Sequence, residues 1–204
     1  MVETENQALS TPSGWNLIGY AESPSGSSYA KTMVYAFWKL ATSSSEGSAS
    51  VGDSGNHQIG IIVTMRNCNT STPVEGYATS ASDGNTDVGT AGATGINTIN
   101  MGLVPNSIGV EKNNEMLWVI ACGDDRTTGV FSNQADGGVG VALTSISEVA
   151  DVFTSSGTGG GLGVFKALKA SAGGNNASLS FDIAALNADQ ALAAICITFF
   201  SNNY

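Results

Sequence analysis

Met116-Leu117-Trp118-Val119-Ile120 is an uninterrupted apolar run in the middle of the chain. A strand with one face in water alternates apolar and polar residues, whereas this run would place apolar side chains on both faces. Its aromatic and β-branched residues favour a strand over a helix. We therefore predict that residues 115–121 form a strand in the middle of a sheet.

Apolar runs of similar length recur on both sides of this segment, with turn residues between them. Further strands are predicted at residues 15–20, 29–40, 59–65 (a central strand), 96–104, 138–143, 162–168, 179–183 and 192–200. Residues 42–55 and 76–95 are rich in small polar residues and are predicted to be long loops. The fold class predicted is all-β: a single antiparallel β-sandwich domain over residues 1–204, jelly-roll-like, with long Gly/Ser/Thr-rich loops.

Helix is predicted to be scarce, at most one or two short turns. Residues 147–152 could form such a turn. Residues 182–194 are rich in alanine and have good helix propensity, so the first half of that segment is left open between helix and strand. Its second half leads into Ile195-Cys196-Ile197-Thr198-Phe199 and is predicted to be strand.

The composition carries little catalytic chemistry. Charged residues make up 12% of the 204 residues, against roughly 25% in an average domain, and there is one histidine. An enzyme needs titratable groups clustered at a fixed geometry, so we predict no enzymatic activity and no cofactor. The net charge is −10 and the basic residues are dispersed. Direct binding to nucleic acid or to an anionic membrane is therefore not expected.

The chain shows no apolar segment that predicts a membrane helix, because its longest apolar run, residues 191–200, is about half the length required. The acidic start of the sequence does not resemble a signal peptide. We expect a protein that is made in a cytosol and kept or assembled there. Cys68, Cys122 and Cys196 are far apart in the sequence, and we expect buried thiols instead of a disulfide framework.

Gly52-Asp53-Ser54-Gly55 is similar to the segment around the nucleophile of trypsin-like serine proteases. That mechanism needs a histidine base and an aspartate that orients it. His57 follows Ser54 by three residues instead of preceding it by a long stretch, so we interpret the segment as a polar turn. His57 is expected at a strand entry, either exposed or bonded to a loop carbonyl, since no second ligand of zinc spacing accompanies it.

Asp83, Asn85 and Asp87 are weak candidates for a calcium site, because oxygen side chains alternate there as they do in calcium loops. The glycine and the glutamate of an EF-hand are missing, and simple turn chemistry is the favoured interpretation. Asp124 and Asp125 have the same two interpretations. No metal site is therefore predicted.

Residues 157–163 are glycine-rich but lack the lysine and the following helix of a phosphate loop. We predict a flexible hairpin loop there. Trp15, Trp38 and Trp118 could together form a sugar-stacking platform. Trp38 and Trp118 lie in apolar strands and are expected in the core, whereas Trp15 follows a turn and is expected to be partly exposed.

Several segments together resemble a family of tailed-bacteriophage virion proteins with β-sandwich architecture. They are residues 11–19 (TPSGWNLIG), 34–41 (VYAFWKLA), 53–63 (DSGNHQIGIIV), 116–121 (MLWVIA) and 160–170 (GGLGVFKALKA). One departure is that an apolar first strand of the family is shortened or absent before residues 2–8. We expect the first edge of the sheet to be covered by a neighbouring subunit.

The resemblance implies a capsid decoration or cement protein on the surface of a virion that is assembled in the cytoplasm of a host bacterium. Its partners would be copies of itself, with a trimer favoured, and other virion proteins such as the major capsid protein. An alternative is a tail-fibre or receptor-binding module that recognises a host glycan through Trp15 and the loops 42–55 and 76–95. A third hypothesis is a hydrolase that uses Asp83, Asp87, Asp124 or Asp125.

Overall fold

The regular structure in the described part of the chain consists of β-strands, and a computed structural model gives their positions. It describes residues 1–5, 8–23, 31–52, 57–82, 96–101, 115–123, 131–138, 140, 142–157, 159–169, 177–183 and 191–199. The strands are β1 (Val2–Glu5), β2 (Asn16–Glu22), β3 (Thr32–Trp38), β4 (Gln58–Gly60), β5 (Val74–Ser82), β6 (Ile96–Met101), β7 (Glu115–Gly123), β8 (Phe131–Asp136), β9 (Leu143–Thr154), β10 (Gly160–Lys169), β11 (Ala177–Ile183) and β12 (Ala191–Phe199). These ranges contain no helix.

The strands form three antiparallel sheets. The central sheet has the order β5-β12-β7-β10-β9, the N-terminal sheet β2-β3-β1-β4, and the third sheet β6-β11-β8. In the central sheet Val119 of β7 pairs with Ile195 on one side and Val164 on the other. The predicted position of this strand in the middle of a sheet is therefore confirmed.

The three sheets stack as layers, and the central sheet is covered on both faces. Trp118 and Phe165 point towards the third sheet, where they pack in one apolar core with Phe131 and Phe181. On the opposite face Val119 and its neighbours pack against the N-terminal sheet in a second apolar core. Because both faces of β7 are buried, the strand needs apolar residues at every position from 116 to 121.

The glycines of β10 make room for aromatic rings. A methyl group added at Gly163 would lie 2.7 Å from the ring of Phe131 and 2.9 Å from that of Phe165. One added at Gly161 would overlap the ring of Phe153. The prediction of a flexible loop over residues 157–163 is therefore wrong in its second half. β10 begins at Gly160, and its glycines are buried packing positions.

An antiparallel all-β sandwich is confirmed, and several predicted elements need correction. Residues 147–152 lie in β9 instead of a helical turn. The central strand predicted at 59–65 is the three-residue β4 at a sheet edge. Of the strand predicted at 138–143, the described residues Gly138, Gly140 and Ala142 lie outside any strand, with positive φ at the two glycines, and Leu143 begins β9. Residues 76–82, predicted as loop, belong to β5, and β8 was not predicted. The pairings do not establish a jelly-roll order.

Residues 2–5 form an inner strand of the N-terminal sheet, whose edges are β2 and β4. β1 lies between β3 and β4, with Val2 opposite Tyr35 on one side and Gly60 on the other. The amide of Ile61 also donates to the carbonyl of Met1 at 2.9 Å. Polar residues such as Thr4 can occupy this strand because backbone hydrogen bonds on both sides hold it.

Replacing Gly163 by alanine tests the close packing of β10. We expect G163A to lower the free energy of unfolding by about 1–3 kcal/mol, because the two phenylalanine rings cannot both keep their positions. Chemical denaturation followed by fluorescence measures this change. G47A is the matched control, since nothing lies within 4 Å of a methyl group at Gly47, and its stability should remain within about 0.5 kcal/mol of the parent. Equal stability of the two variants would contradict the packing.

Candidate interaction surfaces

Most residues proposed for metal or catalytic chemistry lie outside the described residues. This applies to Asp83, Asn85, Asp87, Asp124 and Asp125, and also to Ser54. Among the described residues, no three histidine, cysteine, aspartate or glutamate side chains are close enough to hold a metal ion. The described ranges also include no helix that is long and apolar enough to cross a membrane.

His57 lies at the entry to β4, as predicted, and its burial excludes the exposed one of the two predicted settings. Its Nε2 atom would be 2.5 Å from a methyl group added at Gly160. The imidazole thus packs on the glycine surface of β10, between the N-terminal and central sheets. This contact gives His57 a packing role.

The tryptophans and cysteines divide between the core and the surface. Trp118, Cys122 and Cys196 are buried in the core beneath the third sheet, as predicted. Cys68, which was also expected to be buried, is only half-buried. Trp38, expected in the core, is only half-buried at the end of β3. Trp15 is also half-buried, and it packs on the outward side of the N-terminal sheet. The three tryptophans therefore form no common platform.

The outward side of the N-terminal sheet carries an aromatic surface. Alternation along β3 directs Val34 and Ala36 into the core and Tyr35 and Phe37 outwards. The partners of these residues on β2 follow the same alternation, with Leu17 opposite Phe37 and Tyr20 opposite Tyr35. We call this surface the aromatic face. Its members are Trp15, Leu17, Tyr20, Tyr35 and Phe37.

Three rings of the aromatic face, those of Tyr20, Tyr35 and Phe37, form a continuous stack. The centroids of Tyr20 and Tyr35 are 5.4 Å apart, and those of Tyr35 and Phe37 are 6.0 Å apart. Tyr35 and Phe37 are buried, whereas Tyr20 is 52% and Leu17 46% exposed. Burial raises the pKa of the Tyr35 hydroxyl. A partner can therefore contact Tyr20 of the stack and the neighbouring Leu17.

Two chain segments border the aromatic face. A tight turn over residues 12–15, in which the amide of Trp15 donates to the carbonyl of Pro12 at 3.1 Å, places the indole against the rings. Gly14 has a φ of 77°, as the third position of a type II turn requires. From the other side, Val51 packs against the same cluster.

Glu46 organises the loop that leads to Val51. Its carboxylate accepts hydrogen bonds from Lys39 Nζ at 2.6 Å and from the amides of Thr42 and Ser43 at 2.5 and 3.0 Å. The Lys39 ammonium group and these amides lower the pKa of Glu46 to about 2. Four bonds to one carboxylate, including that from the Thr42 hydroxyl, define the conformation of this loop.

A second set of exposed apolar residues lies on β9, an edge strand of the central sheet, and on the segment after β4. We call it the β9 flank, and its members are Ile62, Val149 and Val152. Ile62 follows β4, which lies against β9 and β10, and is 68% exposed. Val149 is the extra residue of a β-bulge between Glu148 and Ala150. Both valines are more than one-third exposed.

The opposite side of β9 is tied to the third sheet by polar contacts. Asp151 Oδ2 accepts from the amide of Phe131, and Glu148 Oε2 accepts from Gln134 Nε2, each at 3.3 Å. Burial and the nearby Asp151 carboxylate raise the pKa of Glu148. The bulges and these charges disfavour the pairing of another strand with the edge of β9. A partner of the β9 flank would therefore contact its side chains and not its backbone.

The structure brings together part of the glycan site predicted from the sequence. Trp15 and residue 51 of the loop 42–55 meet at the aromatic face. Residues 76–82 are a strand of another sheet, and residues 83–95 lie outside the described part of the chain. Tyr20 was missed because a bulge between Leu17 and Gly19 shifts the pairing of β2 with β3. Its position opposite Tyr35 is visible only once the register is known. Ile62 was missed because it was placed inside a central strand.

Comparison of the chain with protein-family models, with curated proteins and with solved structures found no match.

The titration of Glu46 tests the bonds that hold the loop beside the aromatic face. We expect K39M to raise the midpoint of the Glu46 carboxyl from about 2 towards its ordinary value of 4.5, because the ammonium group is the largest cause of the shift. NMR of the side-chain carboxyl carbon measures it. A lowered carboxyl pKa stabilises the fold above the unfolded value of 4.5 and loses this effect as the pH falls towards 2.

K166M is the matched control for this titration, because Lys166 is an exposed lysine on β10. It should leave the midpoint of Glu46 unchanged. An unaltered midpoint in K39M would show that the ion pair does not form in solution.

Proposed function

We propose that this protein is a structural component of a tailed-bacteriophage virion, a capsid decoration or cement protein that binds its neighbours through its surface. The observation that carries the proposal is an exposed apolar flank on a sandwich whose layers are filled with side chains. A protein built in this way acts through the residues that are exposed on its surface. The resemblance of five segments to the phage family supports the same assignment.

The β9 flank is the proposed contact with a neighbouring subunit. Ile62, Val149 and Val152 are exposed branched aliphatic residues, and burying such surface contributes about 25 cal/mol per Å². The net charge of −10 keeps subunits apart except where an apolar contact compensates the repulsion. We propose a closed homo-oligomer, with a trimer favoured by the resemblance, on a capsid built from the major capsid protein.

A second candidate function is a tail-fibre or receptor-binding module that recognises a glycan of the host surface. The aromatic face favours it, because exposed aromatic rings are common elements of saccharide sites. The two candidates differ in location. Composition analysis of capsids and tails purified separately from the same phage would assign the protein to one of them.

Binding to capsids tests the first proposal directly. Purified protein should form an oligomer by light scattering and should sediment with capsids that lack it. A protein that stays monomeric at high concentration and has no affinity for capsids would overturn the proposal.

Polar substitutions on the β9 flank test the proposed contact. We expect I62N combined with V152T to weaken self-association or capsid binding about tenfold, since two apolar contacts would be lost. Sedimentation velocity over a concentration series measures the effect, and a thermal melt confirms that the variant is folded. L40N is the matched control, because Leu40 is 47% exposed but lies outside the flank. Equal effects of the control and the double variant would exclude the flank as the interface.

A further inference from the structure

We propose that the aromatic face is a binding site for a neutral saccharide, with the ring of Tyr20 as the stacking platform. This inference deepens the second candidate function, but it does not require that the protein belongs to the tail. Three features of the face favour a sugar over other ligands: the presentation of the ring, the pairing of the charges beside it, and the small area that is exposed.

The ring of Tyr20 is held in a fixed orientation. It is stacked on Tyr35 with an angle of 20° between the planes, and Tyr35 is stacked in turn on Phe37 at 6°. About half of Tyr20 remains exposed. The face of an aromatic ring carries negative electrostatic potential, and the C–H groups on one side of a pyranose ring carry a partial positive charge. A preoriented ring therefore binds a sugar with little loss of side-chain entropy.

The charges beside the platform are paired and suit hydroxyl groups. Lys31 Nζ forms a salt bridge with Glu22, the last residue of β2, and both side chains are about one-third exposed. The ammonium group offers donors and the carboxylate offers acceptors, and a sugar hydroxyl can use both. Because the pair is neutral as a whole, it does not favour an anionic ligand such as a phosphate.

The exposed apolar part of the aromatic face has the size of a small ligand. Tyr20 and Leu17 are each about half exposed, which leaves on the order of 200 Å² of apolar surface. One or two sugar rings match this area. Glu22 lies two residues after Tyr20 on β2 and is therefore directed to the same side of the sheet.

Saturation-transfer NMR with cellobiose and with lactose as probes tests this site on the isolated protein at millimolar sugar. We expect saturation of the ring C–H protons of the sugar and backbone shift changes on β2. Y20A should weaken binding about tenfold, because the stacking surface is lost. Y20F should bind like the parent, because the ring remains and only the hydroxyl is removed. K31M should weaken binding without abolishing it.

I62N is the matched control, because Ile62 is an exposed apolar residue on the β9 flank. It should leave sugar binding unchanged. Absence of saturation transfer from both probes and from every neutral glycan of an array would overturn the proposal. So would equal binding by Y20A, or a concentration-dependent dimer that Y20A dissociates, since the face would then bind a second copy. Sugar binding by a protein that is located on the capsid would overturn only the tail assignment.

Discussion

The burial of the central sheet on both faces is the constraint on which the rest of the molecule depends. β7, β10 and β12 supply apolar side chains to two cores at once, one beneath the N-terminal sheet and one beneath the third sheet. Successive side chains of β7 point to opposite faces of the sheet. A substitution at an even-numbered position of β7 therefore changes the core beneath the third sheet, and one at an odd-numbered position changes the core beneath the N-terminal sheet. The outer sheets need only one apolar face each, and this leaves their outward sides available for polar or aromatic residues.

This arrangement explains which parts of the fold could be predicted from the sequence. A strand buried on both faces is a continuous apolar run, and β7 and β12 were found for that reason. β9 was missed because its bulges, at Val149 and near Ser145, break the alternation that marks a strand. β5 was missed because this edge strand, which packs against Gly19, contains small residues such as Gly76 and Ala78 that are also typical of loops. β4 was overestimated because Ile61 and Val63 are core residues on an irregular segment.

The surfaces were harder to predict than the strands. The alternation of Tyr35 and Phe37 with Val34 and Ala36 indicates an aromatic side of β3. It does not indicate that Tyr20 of β2 extends the stack, because the bulge at Ile18 shifts the register by one residue. The β9 flank depends on a contact between strands that are distant in the sequence. Candidate sites whose residues are close in the sequence, such as Asp83 with Asp87, can be found without knowledge of the fold, whereas these two surfaces cannot.

The two surfaces share no residue and can therefore act independently. The aromatic face belongs to the outward side of the N-terminal sheet, and the β9 flank to an edge strand of the central sheet and to the segment after β4. Between them lies the apolar core that contains Val34, Val119 and Ile195. A protein that docks through its flank would keep its aromatic face directed away from the contact strand. Attachment to a particle and recognition of a saccharide are thus compatible in one chain, because neither requires the residues of the other.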